Sequence, residues 1–221
     1  MGAKLQNRVR ISPVTKPAYM IIGVNIHDAD TFHQYAEGAV PLLPQLGATV
    51  ISAANDIECL QGDWTPDRLV VLQFQSLATA RAFYDSPEYA PYKAMRESCS
   101  DSDIVLVEGN VNEQTASEAA HRSAHYLLGF SDQISASWVR EYQAKVPQIV
   151  AKYGAVEPCS GAQFEVLHGR FDRQSMILLQ FPSEAACRGF WQDPDYQRIK
   201  KLREGNTLSE HVAFPGGFSV V

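Results

Sequence analysis

The sequence predicts an α+β chain built from two ferredoxin-like β-α-β-β-α-β units packed sheet to sheet. Three observations carry this. The stretch LVVLQFQSLATARAFYDSPEYAPYKAMR from position 69 returns as MILLQFPSEAACRGFWQDPDYQRIKKLR from position 176, an offset of 107. Further matches keep that offset without a gap: Tyr19 with Tyr126, Tyr35 with Tyr142, Gly47 with Gly154, Glu58 with Glu165 and Gly109 with Gly216. Such self-similarity marks a repeated structural unit. Finally, each copy alternates short apolar runs with segments of helical period, and a sheet with helices on one face leaves its other face in need of cover. Two copies in one chain supply that cover about a pseudo-twofold axis, which turns a homodimer interface into an intramolecular one.

In order, residues 1–16 are expected to form a flexible arm, 17–109 the first repeat, 110–124 a polar linker without apolar period, and 125–217 the second repeat. YMIIGVN from Tyr19 reads as a strand. Asp28 or Asp30 then caps a helix whose period runs through Phe32, Tyr35, Ala36, Ala39, Val40 and Leu43. Pro41 and Pro44 each remove a backbone donor and should kink or restart it, and Gly47 is a natural stop. Strands are expected over 48–53, 56–60 and 69–74. Ser76 caps the next helix, Asp85-Ser86-Pro87 breaks it, and 103–108 closes the unit as a strand.

Composition excludes several classes. The longest apolar runs are LVVLQF and MILLQF, far short of the ~20 residues of a membrane-spanning helix. The amino end has no apolar core of signal-peptide length. A net charge of -6 with interspersed signs gives no footprint for nucleic acid. Cys59, Cys99, Cys159 and Cys187 lie far apart without a CxxC pair, so they are expected to be reduced thiols in a cytoplasm. Of the six histidines one pair, His121 and His125, stands four residues apart, but no HExxH motif accompanies it and no metal centre is expected. A haem iron needs only one axial histidine, a requirement the sequence meets without pointing to it. No GxGxxG, GxxxxGK or GxSxG motif appears. No cofactor is expected, and the partner expected is a small molecule, with further homodimerisation of the chain possible but not forced.

Candidate groups each have a structural and a functional reading. Gln73 and Gln180 interrupt apolar strands at matched positions and read first as a hydrogen-bonded pair across the interface between the halves. Asn25 and Asp132 end the first strand of each half, where they either enter a cleft or cap the following helix. Tyr89, Tyr92 and Arg96 share a helix face, as do Tyr196, Ile199 and Arg203. The tyrosines are then core and the arginines surface or ion-pair residues, or each arginine binds a substrate carboxylate bidentately, with Tyr35 beside it in the first half. Trp64 with Arg68 lies in a turn next to the first cleft, and Phe171 with a displaced Arg173 makes the second half a weaker match there.

The segments EYQAKVPQIVAKYGA, EVLHGRF and SMILLQFPSEAACRGFWQDPDY, with ECLQGDWTPDRLVVLQF, FYDSPEYAPYKAMR and VLVEG in the first half, resemble the family called domain of unknown function 1330. That resemblance implies a dimeric α/β barrel, a superfamily of small acid/base enzymes, monooxygenases and binding modules. Against the family's pattern of carboxylates, this chain carries Gln61, His168, Gln73 and Gln180, and it lacks the family's glycine-glycine-arginine after the first helix.

Gln61 and His168 occupy the same strand end at the offset of 107, and only the imidazole exchanges a proton near pH 7. The halves are therefore expected to be unequal. His168 would be the acid/base of the second cleft, helped by Asp132, Tyr142 and Arg203, unless it is a solvent-facing residue before a turn glycine. The expected function is a small-molecule enzyme doing cofactor-independent isomerase, lyase or cyclase chemistry on a small apolar or aromatic acid. A non-catalytic binding or protein-interaction module and a cofactor-independent monooxygenase are the alternatives.

Overall fold

The computed structural model describes residues 15–110 and 118–218, so most of the amino-terminal arm and the start of the linker lie outside the described residues. The first half runs β1 (Ala18–Ile26), α1 (Ala29–Ala39), the short α2 (Leu42–Gln45), β2 (Ala48–Ala54), β3 (Glu58–Gln61), β4 (Arg68–Phe74), α3 (Leu77–Tyr84), α4 (Ala90–Cys99) and β5 (Ser100–Glu108). After α5 (Glu118–Ser123), the second half repeats it as β6 (His125–Gln133), α6 (Val139–Lys152), β7 (Val156–Gly161), β8 (Phe164–His168), β9 (Ser175–Phe181), α7 (Glu184–Gln192), α8 (Pro194–Lys200), a 3₁₀ turn (Lys201–Arg203) and β10 (Thr207–Pro215), with β11 (Gly217–Phe218) at the end.

Local chemistry sets the boundaries. Asp28, Ser76 and Ser183 cap α1, α3 and α7, each accepting from the amide three residues on. Pro41 separates α1 from α2, as its missing donor requires, and Pro44 lies inside α2. The second half has Gln148 and Ala151 at the matched positions, and α6 runs unbroken to Lys152 through its own Pro147.

Alternation along each strand divides its side chains between two cores. In β1, Tyr19 and Ile21 face the second half, whereas Met20, Ile22 and Val24 face the helices of the first. One apolar core lies between the sheets, with Leu69, Val71 and Val105 meeting Tyr126, Leu128 and Phe214. Two outer cores lie under the helices, around Phe74 and Phe83 in one half and Phe181 and Phe190 in the other. The result is four layers, helices–sheet–sheet–helices.

An exchange of strands ties the halves. The sheet orders are β11-β2-β4-β1-β5-β8 and β3-β10-β6-β9-β7. Thus β3 leaves its own half to pair with β10, opposing Cys59 to Val212, and β8 crosses to β5, opposing Val166 to Val105.

One expectation needs correction. The Gln73 amide donates to the Tyr19 hydroxyl at 3.0 Å, a neighbour in its own sheet, so it has no need of a partner across the interface. The linker carries α5, built of helix-forming residues, and it buries His121 against the Tyr126 hydroxyl at 2.7 Å.

Candidate functional site: two unequal clefts

Each half opens a cleft between the outer face of its sheet and its helices. In the second half α8 and the 3₁₀ turn that follows place Tyr196 and Arg203 seven residues apart, two turns along one face. The Arg203 guanidinium is buried. Its Nη2 donates to the Tyr196 hydroxyl at 3.5 Å, and its Cζ lies 5.4 Å from the centre of the Tyr142 ring on α6. Its Nη1 lies 3.0 Å from Nε2 of His211 on β10.

A guanidinium offers only donors, so Nε2 is the acceptor and the imidazole hydrogen belongs on Nδ1. That Nδ1 is buried and has no partner among the described residues, and the same holds for Nε of Arg203. Burial pushes the His211 imidazole well below its ordinary range, and the charges of Arg203 and Lys200 push the same way. The ring is held neutral. Trp191 packs beside it at 5.4 Å between centres.

His211 has room because of its cross-strand partner. Gly129 on β6 pairs with His211 on β10, and a Cβ on that glycine would sit 2.8 Å from Cδ2 of the imidazole. The matched pair in the first half is Ile22 on β1 and Ile104 on β5, both buried and apolar. A pair of isoleucines in one half is thus a glycine and a histidine in the other.

The cavities differ accordingly. The second is about 390 Å³, walled by apolar groups such as Leu127, Met176, Leu179 and Phe190, with Ser131, Ser160 and Ser175 supplying hydroxyls. Its helix α6 has no fully buried residue, whereas α1 buries Phe32 and Ala39. The first cavity is about 60 Å³, less than half the ~150 Å³ that admits benzene. It is lined by Arg68, Arg96, Tyr35 and Tyr89, with Phe218 of β11 as a wall from the other half. Arg96 is fully buried, its Nη1 donates to the Tyr89 hydroxyl at 3.1 Å, and Tyr89 meets the Tyr35 hydroxyl at 3.3 Å. Burial pushes the Tyr89 and Tyr196 phenols well up, so both stay protonated. Arg68 bonds Asn55 at 2.7 Å, and its matched residue in the second half is Ser175.

The residues singled out in the sequence therefore divide. Tyr35, Arg68, Tyr89 and Arg96 gather in the first cleft, and Tyr142, Tyr196 and Arg203 in the second. Four lie elsewhere. His168 does not line the second cleft: strand exchange carries it to the edge of the first sheet opposite Ile104, with Nδ1 3.4 Å from Glu97. Asp132 is held by Arg173 at 3.2 Å and the Gln174 amide at 2.8 Å, outside both cavities. Asn25 is exposed at the end of β1. Trp64 lies edge-on to Phe130 at 5.2 Å and packs against Gly23, part of the core between the sheets. The residue missed is His211. Its signal was present as two mismatches at the offset of 107, Ile104 against His211 and Ile22 against Gly129, both in otherwise matched strands.

Among the described residues no three His, Cys, Asp or Glu side chains are placed to hold a metal ion, and no helix is long and apolar enough to cross a membrane.

Two ferredoxin-like halves joined sheet to sheet, each with its own cleft, define a dimeric α/β barrel folded from one chain. Solved structures of that architecture superpose over nearly the whole chain. A protein from Fusobacterium nucleatum described as a putative monooxygenase is 9% identical with a TM-score of 0.54, covering 91% of this chain and 93% of its own. A mutant chlorite dismutase from Candidatus Nitrospira defluvii in complex with cyanide is 10% identical with a TM-score of 0.53, covering 89% and 90%. A putative monooxygenase from Lactobacillus acidophilus is 12% identical with a TM-score of 0.50, covering 93% and 99%. At these identities the likeness is one of fold. No curated protein matches the sequence. The chain belongs to the family described as domain of unknown function (DUF1330), whose model matches it twice, over residues 17–110 and 124–216.

Proposed function

We propose that the chain is a small-molecule enzyme whose working cleft is that of the second half, and that it performs cofactor-independent acid/base chemistry on a small apolar or aromatic acid. The observation that supports this is the Arg203–His211 pair, 3.0 Å apart, at a largely apolar cavity of about 390 Å³. Apolar walls with a few convergent polar groups suit a ligand with an apolar body and one charged end. Arg203 takes the carboxylate, since a guanidinium matches its two oxygens. His211 moves a proton within the ligand, so no co-reactant is needed. Neither role falls to His168 or Asp132, which face other groups.

The first cleft favours a second, non-catalytic role for that half. It presents Arg68, Arg96 and tyrosine hydroxyls but Ile104 where the other half has His211. It is a binding pocket or scaffold without a base. A cytoplasmic setting accords with the buried thiols of Cys99 and Cys187, the latter pushed up to about 12 by burial and therefore unreactive.

The test is a thermal-shift and calorimetric screen of aromatic and aliphatic carboxylates against the native protein and Arg203→Met. Binding of an acid of this class, weakened tenfold or more by the substitution, is the expected result. Equal binding by both proteins would remove Arg203 from the site.

A further inference from the structure

We infer that His211 is a masked base, covered by Arg203 and released by the carboxylate of the ligand itself. The inference rests on the reading of the second cleft given above and adds how the proton acceptor is controlled.

The geometry carries it. A neutral imidazole has one lone pair for accepting a proton, and here that lone pair, on Nε2, faces Nη1 of Arg203 at 3.0 Å. The other nitrogen, Nδ1, carries the hydrogen and accepts nothing. While Arg203 stays where it is, His211 has no free site for a proton. A base that cannot accept is switched off.

The groups around the imidazole point the same way. The 3₁₀ turn contributes Arg203 and α8 contributes Lys200, both cationic, with the protonated phenol of Tyr196 beyond them. On α7 the neighbour is Trp191, with Lys200 stacked over it at 4.1 Å, and on β6 it is Gly129. The α6 wall brings Tyr142. Glu157 is the carboxylate lining the cavity, and its Oε1 is engaged by Ser160 and by Asn110. No anion among the described residues contacts Arg203 or His211.

A ligand carboxylate changes both halves of this arrangement. It offers the guanidinium two charged oxygens that match its fork in place of one neutral nitrogen, so an ion pair with two parallel bonds replaces a single bond to an uncharged acceptor. Rotation of the guanidinium onto the carboxylate frees Nε2, and the new negative charge offsets the part that Arg203 and Lys200 add to burial in keeping the ring neutral. The bound acid therefore creates the base that acts on it. A neutral molecule of the same shape does not. Selectivity for acids then appears in the chemical step as well as in binding.

The experiment follows histidine ring nitrogens by NMR in the ¹⁵N-labelled protein, with His211 assigned by the signal lost in His211→Ile and with benzoate as the probe. In the free protein the His211 signals should stay those of the neutral Nδ1–H form down to the acid limit of folding. At saturating benzoate the titration midpoint should rise by at least one pH unit, a tenfold change in proton affinity. Benzamide should leave it unmoved. In Arg203→Met, provided it folds, the midpoint should already be raised and indifferent to benzoate. Benzoate that binds, by thermal shift, without moving the His211 titration overturns the masked base and leaves the cleft assignment standing. Benzoate that does not bind overturns the cleft assignment, and the masked base falls with it.

Discussion

Gly129 and His211 are direct cross-strand partners, and the imidazole occupies the space that a side chain at position 129 would fill. A Cβ there would lie 2.8 Å from Cδ2, 2.9 Å from Nε2 and 3.2 Å from the Ile177 side chain. Nε2 is the atom that faces Arg203, so Gly129→Ala must push the ring off its partner. Overpacking of a filled core costs about 1–3 kcal/mol, and urea unfolding should show a loss of that order. In a His211→Ala background most of the loss should vanish. An equal loss in both backgrounds would mean the glycine serves the backbone and not the imidazole.

Stability should also depend on His211 through pH. Folded, its pKa lies well below the ordinary value because of burial, Arg203 and Lys200. Unfolded, it titrates near ~6.5. Above that pH both states are neutral and the group adds no pH dependence. Below it the unfolded chain takes a proton that the folded chain refuses, so stability falls as pH drops, by up to about 1.4 kcal/mol per pH unit. His125, also depressed chiefly by burial, acts in the same direction. Between pH 6.5 and about 5, His211→Ile should flatten the curve of urea midpoint against pH without levelling it. Parallel curves for the two proteins would show that the imidazole is not held neutral.

How much of this is legible in sequence follows from what each feature depends on. The layers are, because a constant offset and a two-residue alternation report local structure and the face that must be covered. The exchange of β3 and β8 is not. Both read as short strands, but which sheet edge receives them depends on contacts between halves that no local pattern carries. The arginine–tyrosine pairs are legible because seven residues make two helical turns. His168 was misplaced by that same exchange. His211 looked like one histidine in an apolar strand, and its meaning appears only beside Gly129, its neighbour through the sheet but distant in the chain.

Strand exchange makes a prediction about the isolated halves. Residues 1–110 alone would expose the inner face formed by Tyr19, Ile21, Leu69, Val71 and Val105, and β3 would have no β10 to join. A second copy supplies both the cover and an edge, β5, matched to β10. Sedimentation should therefore find this fragment as a homodimer, and co-expression with residues 124–221 should yield the heterodimer. A folded monomer of either half would contradict the shared core.

The last prediction transfers the arrangement from one half to the other. The first cleft already has Arg96 and Tyr89 where the second has Arg203 and Tyr196, and it differs at the cross-strand pair Ile22 and Ile104. Ile104→His alone forces a polar ring against Ile22 in a filled core, and burying such a group with an incomplete set of partners costs roughly 1–3 kcal/mol. Ile22→Gly alone leaves a cavity and a flexible strand residue, with a loss of about 2–5 kcal/mol. Together they should recover part of both losses, because the glycine makes room for the ring and Arg96 is placed to donate to it. Contacting residues couple by about 0.5–3 kcal/mol, whereas independent sites add to within about 0.3–0.5 kcal/mol. A double-mutant cycle from urea unfolding measures the difference. Coupling in the upper range would mean that two neighbouring positions account for the inequality of the clefts. Additivity would place its origin elsewhere, in the looser seating of α6, which has no fully buried residue where α1 has two.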